Sequence, residues 1–125
     1  MKTLVLLACI PLFAAGAGSK GVVSNDLCDC RHDREVVGPC FTVHGRLAIR
    51  ADGPPSCSIW VIGTTHHLGV SESHGCRMPS RLEALLKPGV ALYGDFTVCP
   101  YTPERPGAMQ MICIAEAKNL VVGQR

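Results

Sequence analysis

From Phe41 to Arg50 the chain reads FTVHGRLAIR, in which Phe41, Val43, Leu47 and Ile49 alternate with Thr42, His44, Arg46 and Arg50. Successive side chains of a strand leave on opposite faces, so this period of two predicts a strand with one buried and one solvated face. Gly45 falls on the apolar face, where a missing side chain allows strong coiling or close packing. The segments that follow must cover that face. ADGPPS supplies a turn. CSIWVIGTT is apolar on both faces and predicts a central second strand, and LGVSE predicts a short third one.

MPSRLEALLKPG carries the one helix signal. Ser80 and Glu83 have capping-box spacing, Leu82, Leu85 and Leu86 recur at helical intervals, and Pro88-Gly89 ends the run. Two turns of helix do not persist alone in water, so its leucines must plug something. VALYGDFTVCP is a fourth strand with Leu92, Phe96 and Val98 on one face. PYTPERPGA is a loop and MQMICIAEAKNLVV a fifth strand. The expectation is a mainly β fold: a small five-stranded barrel of the oligonucleotide/oligosaccharide-binding (OB) type with one short helix between strands three and four. A small β-sandwich is the alternative.

The first 17 residues stand apart. Lys2 precedes an apolar run from Leu4 to Ala15, and Ala15-Gly16-Ala17 has the small-residue pattern of a signal-peptidase site. The run is too short to span a bilayer and contains Pro11, so the mature chain is expected to hold no transmembrane segment. Leu6-Leu7-Ala8-Cys9 resembles a lipobox, but Cys9 comes too early and Leu7 is bulky for its slot. Residues 18–39 are polar and predict a loosely attached arm. Residues 40–125 form the domain. The expected location is the periplasm or the exterior.

There are eight cysteines, and losing Cys9 with the signal leaves seven. Export makes disulfides the default state of such cysteines. The chain has 12 Lys and Arg against 10 Asp and Glu, and losing Lys2 leaves 11 against 10. That near-neutral balance, with aromatics at 5%, argues against nucleic acid as a partner.

Four stretches, CFTVHGRL, IWVIGTTHHLGV, YGDFTVCPYTPERPG and MICIAEAKNLVV, resemble a family of small exported bacterial proteins of no assigned activity. The resemblance runs from Cys40 to Val122. It implies an exported β domain and carries over no catalytic or binding residue. In the family pattern the slots of His66 and His67 often hold Arg or Lys, which implies that these histidines are not metal ligands.

THHLGVSESHGC raises the metal question directly. His74 and Cys76 are the ligands a zinc ion would use there. Adjacent His66 and His67 on a strand would face apart, and Cys76 is a candidate half-cystine. Cys28-Asp29-Cys30-Arg31-His32 has thiolate spacing suited to Cu(I) or zinc, but two disulfides tethering the arm to the domain are the favoured reading. The expectation is no metal and no cofactor. No G-x-S-x-G elbow, phosphate loop or H-E-x-x-H run is present. Arg46 and Arg50 share the polar face of the first strand. Trp60 and Tyr101 are candidate ligand contacts, because the loops after the first strand and after Cys99 are where OB folds hold ligands. A hairpin centred on Pro106 places residue i opposite 212 − i, which sets Cys99 against Cys113 and predicts a disulfide between them; the alternatives are two free thiols or pairing elsewhere, for example with Cys40 or Cys57.

These features point to a disulfide-stapled binding or interaction module without catalysis, its partner an envelope protein or a small ligand. A periplasmic metal-binding protein and a hydrolase with a dispersed site are the alternatives. Mass analysis of the exported protein should find a mature N-terminus near Gly18. Intact Met1, or a lipid on Cys9, would overturn the signal-peptide reading.

Overall fold

The alternating segment forms a nine-residue strand, β2 (Phe41–Ile49). The structure, a computed structural model, describes residues 21–24 and 29–124; the expected signal peptide, Cys9 and Cys28 lie outside them. The expected second and third strands are β3 (Cys57–Val61) and β4 (His67–Val70). The long ones are β5 (Val90–Pro100) and β6 (Gln110–Gln124), with the helix α1 (Ser80–Leu85) between β4 and β5.

The pairings run round in a ring. β2 lies antiparallel between β3 and β5. β3 pairs antiparallel with β4, β4 runs parallel to β6, and β6 returns antiparallel to β5. The fold is thus mainly β, with the strand connectivity of an OB barrel. The parallel β4–β6 pair needs a long crossover, and α1 together with β5 provides it.

Inside the ring, Leu47, Ile59, Leu68, Leu92, Phe96 and Ile114 are fully buried. α1 closes one end with Leu82, fully buried, helped by Met78 and Leu86, while Leu85 stays exposed. The capping box does not form. Pro79 occupies the N-cap position without a side-chain bond, and the Glu83 carboxylate instead receives Arg77 Nη2 at 2.7 Å. A charged donor outcompetes a backbone amide for a carboxylate in reach of both.

The described part of the arm is not loose. Residues Val22–Ser24 form strand β1, which pairs antiparallel with Lys118, Ala117 and Glu116 of β6. A single 3₁₀ turn at Cys30–His32 is capped by Asp29, whose carboxylate accepts the Arg31 amide. The Val37 amide donates to the Pro100 carbonyl at 2.9 Å. Cys30, Val36 and Cys40 then pack with Cys99, Tyr101, Cys113 and Ala115 into a second apolar cluster. This cluster covers the outer face of the β5–β6 hairpin.

The hairpin register near the turn is as its symmetry predicts: Val98 faces Ile114, Cys99 faces Cys113 and Pro100 faces Ile112. An irregularity between Thr97 and Val98 shifts the pairing farther from the turn. The predicted Cys99–Cys113 disulfide is nevertheless wrong. Cys99 is bonded to Cys40 and Cys113 to Cys30. Opposed residues on one rung project the same way, here outward into the arm, and the arm brings its own sulfurs over both. The two bridges span sequence separations of 59 and 83. Loops of that length correspond to roughly 4 kcal/mol of chain-entropy stabilisation each.

Gly45 tests how tightly the ring is drawn. A Cβ there would press on Ile59 Cγ2 and lie 2.9 Å from the Trp60 carbonyl oxygen. Gly45→Ala should destabilise the barrel by about 1–3 kcal/mol, lowering Tm by about 5–20 °C in a domain of this size. Thermal unfolding of the oxidised protein checks it; an unchanged Tm would contradict the packing.

Candidate functional site

The outer faces of β2, β3 and β4 are not covered by the arm. One rung there runs Tyr93, Arg46, Trp60, His67 across four neighbouring strands. Arg46 lies over the Trp60 ring, 5.0 Å from its centroid. The half-buried Trp60 is fixed by its own Nε1–H, which donates to the Thr64 carbonyl at 2.7 Å. Arg46 Nε is buried without a hydrogen-bond partner. Arg31, Arg50 and Arg77 form ion pairs, whereas Arg46 has none among the described residues.

The other predicted residues of this face are engaged. Arg50 Nε donates to Asp52 Oδ1 at 3.1 Å, and its Nη1 lies 3.5 Å from Met109 Sδ. His44 sits 2.9 Å from Asp95, whose carboxyl is held below its usual range first by Asn119 and then by His44. Two rungs on, Ser58 faces Gly69 and Gly69 faces Met111. A Cβ on Gly69 would lie within 2.7–2.9 Å of Met109 Sδ, Met111 Sδ and Pro55 Cγ. The loop after β2 and the segment leading into β6 therefore meet over β4. Beside them a cleft of about 390 Å³ is bordered by Arg50, Asp52, Ser58, His67 and Met109.

Tyr101 is not on this face. It is buried in the arm cluster, and its ring stacks on His74 with centroids 3.6 Å apart and planes 6° from parallel. Its hydroxyl donates to Asp33 Oδ2 at 2.7 Å. The Glu35 amide and this hydroxyl, in that order, hold the Asp33 carboxyl below its usual range. Burial, reinforced by Asp33, pushes the Tyr101 phenol well above its own. His74 is held on both sides: Nδ1 lies 2.7 Å from Ser71 Oγ, and Nε2 lies 2.6 Å from Glu35 Oε1. A cleft of about 450 Å³ opens here, bordered by Pro54, Pro55, Ser71, His74, Tyr101 and Thr102.

The histidines of THHLGVSESHGC are thus divided. His66 and His67 border a separate cleft with Glu104 and Arg105, away from His74. Of the four metal candidates, Cys30 and Cys76 are disulfide-bonded, His74 has a partner at each nitrogen, and Cys28 lies outside the described residues. The sulfurs of Cys30, Cys99 and Cys113 lie within 4.8 Å of one another, but as disulfide sulfurs and not as thiolates. Cys57 is a free cysteine, buried in the barrel core.

Sequence reasoning missed Ser71, Asp33 and Glu35. Asp33 and Glu35 read as solvated arm residues, and nothing local to them signals that the arm docks on His74 and Tyr101.

Tyr101→Phe removes one of the two main bonds to the Asp33 carboxylate, so its pKa should rise toward 3.8. A carboxyl with a depressed folded pKa contributes stability above its unfolded value and loses it as pH falls through the folded one. The deficit of the variant should therefore shrink between about pH 5 and pH 2. NMR titration of the Asp33 carboxyl, with denaturant unfolding at each pH, checks this; an unmoved pKa would contradict the contact. Comparison with protein-family models, with curated proteins and with solved structures gives no match for this chain.

Proposed function

We propose that the chain is an exported binding module whose ligand lies across the outer face of β2, β3 and β4. The observation that carries this reading is Arg46. It is a cation on an aromatic platform, flanked by Tyr93 and Trp60, with a buried Nε that has no partner and no carboxylate paired to it among the described residues. An orphaned buried donor on a surface otherwise rich in ion pairs asks for a partner from outside the chain. The Trp60 ring holds the guanidinium in one place, so little side-chain entropy is lost on binding.

Other features support the reading. The two loops that flank the face contain Pro54, Pro55, Pro103 and Pro106, which restrict the free loops and lower the cost of ordering them. The disulfides suit an oxidising compartment. No helix among the described residues is long and apolar enough to cross a membrane. The partner is an envelope protein or a small anionic ligand, and the chain belongs with the small exported bacterial proteins it resembles. The metal-binding alternative loses support, since the described cysteines it would use are oxidised and its histidine is occupied.

Trp60 is the sole tryptophan, so its emission reports on this face alone. Titration with a panel of acetate, phosphate and uronate-bearing oligosaccharides should perturb it saturably for at least one probe. Arg46→Ala should weaken that binding about tenfold or more, the size of one lost charge-assisted hydrogen bond, while Tyr101→Phe leaves it unchanged. Equal affinity of wild type and Arg46→Ala would sink the proposal.

A further inference from the structure

Beyond ligand binding, we infer that Ser71, His74 and Glu35 form a second site that hydrolyses small neutral carboxylic esters. Two residues of one loop and one of the arm meet with the contacts a nucleophile, a base and an orienting carboxylate require. Ser71 Oγ lies 2.7 Å from His74 Nδ1, and His74 Nε2 lies 2.6 Å from Glu35 Oε1. A carboxylate only accepts, so Nε2 carries the proton, Nδ1 is the acceptor, and the Ser71 hydroxyl is the donor to it. The two ring nitrogens have exchanged the roles they play in the serine proteases. The chemistry requires only that one nitrogen face the nucleophile and the other the acid.

The surroundings fit the roles. Tyr101 stacks flat on the imidazole and fixes its plane. Ser71 is only 3% exposed, at the floor of the cleft, and Ser73 Oγ lies 3.3 Å from it. Ser73 and His74 follow in a bend, and among the described residues their backbone N–H groups have no carbonyl acceptor. They lie close in sequence to Ser71 and are groups of the kind that stabilise an oxyanion. The cleft is about 450 Å³, with Pro54, Pro55 and Met111 on its walls, a size for a short acyl group. Glu72 on the rim, held ionised by its bonds to Ser56, disfavours anionic substrates.

In the reaction, Ser71 Oγ bonds to the ester carbonyl carbon and its proton passes to His74 Nδ1. The bond from that carbon to the alkoxy oxygen breaks, and the alcohol leaves with that proton. Water then adds to the acyl-Ser71 carbon and gives a proton to Nδ1. Ser71 Oγ departs and takes it back, releasing the carboxylic acid. Glu35 is a positioning residue that sets the tautomer and stabilises the transient imidazolium.

The test uses the folded, oxidised protein and a fluorophosphonate probe, read by intact mass and peptide mapping. One adduct per chain on Ser71 is expected. The phosphonylated protein, and Ser71→Ala with its disulfides intact, should lose hydrolysis of chromogenic acetyl and butyryl esters. Glu35→Gln should lower kcat about 10- to 100-fold with KM little changed, while Glu35→Asp restores part of the rate. No adduct on the wild-type protein, an adduct on Ser73 or another hydroxyl, or hydrolysis undiminished in folded Ser71→Ala would each overturn the inference. An unchanged kcat in Glu35→Gln, or no recovery of rate in Glu35→Asp, would overturn the role of Glu35.

Discussion

β6 is the strand on which the rest depends. Its 15 residues pair with β4 at one end, with β5 along most of their length, and with β1 over Glu116–Lys118. The parallel contact to β4 and the antiparallel contact to β5 turn a curled sheet into a ring. A closed ring has no open edge between its strands, and so no unpaired row of backbone groups to recruit another chain. The burial of Leu68, Ile112 and Ile114 follows from that closure, because each faces an interior that exists only when both pairings hold.

The division of the outer surface follows from the same strand. With β6 tied to β5, one broad hairpin face points outward, and the arm occupies it through two disulfides and the Tyr101–Asp33 and His74–Glu35 contacts. The described part of the arm does not reach the outer rung from Arg46 through Trp60 to His67, and there the Arg46–Trp60 pair stands. One side of the barrel is committed to holding its own chain, and the other is open to something else.

Much of the barrel is legible in the sequence because its signals are local. The alternation from Phe41 to Ile49, the leucine spacing after Pro79 and the symmetric turn about Pro106 each fix an element or a register within a dozen residues. What is illegible depends on distance or competition. Three residues, Val22–Ser24, are too few for a periodic signal, so β1 reads as arm. The Ser80–Glu83 spacing is real, but Arg77 claims the carboxylate. The register of Cys99 and Cys113 is right and their bond wrong, because register is local and disulfide choice depends on which sulfurs the arm brings over that rung. Arg46 and Trp60 are visible as strand residues of opposite patterning, whereas the meeting of Glu35 with the local Ser71–His74 pair is set only by the docking of the arm.

The order of the bridges along the chain has a consequence for biosynthesis. Cys30 and Cys40 both lie near the start of the described chain, and their partners Cys99 and Cys113 near its end. A chain made from its N-terminus presents Cys30 and Cys40 to an oxidant before Cys99 and Cys113 exist. A bond between Cys30 and Cys40 at that stage would leave neither of these two bridges able to form. The native pairing is reached only if β5 and β6 have met before oxidation is final, or if an early bond is reshuffled by thiol–disulfide exchange. The two bridges therefore couple the sealing of the arm to the meeting of β5 and β6.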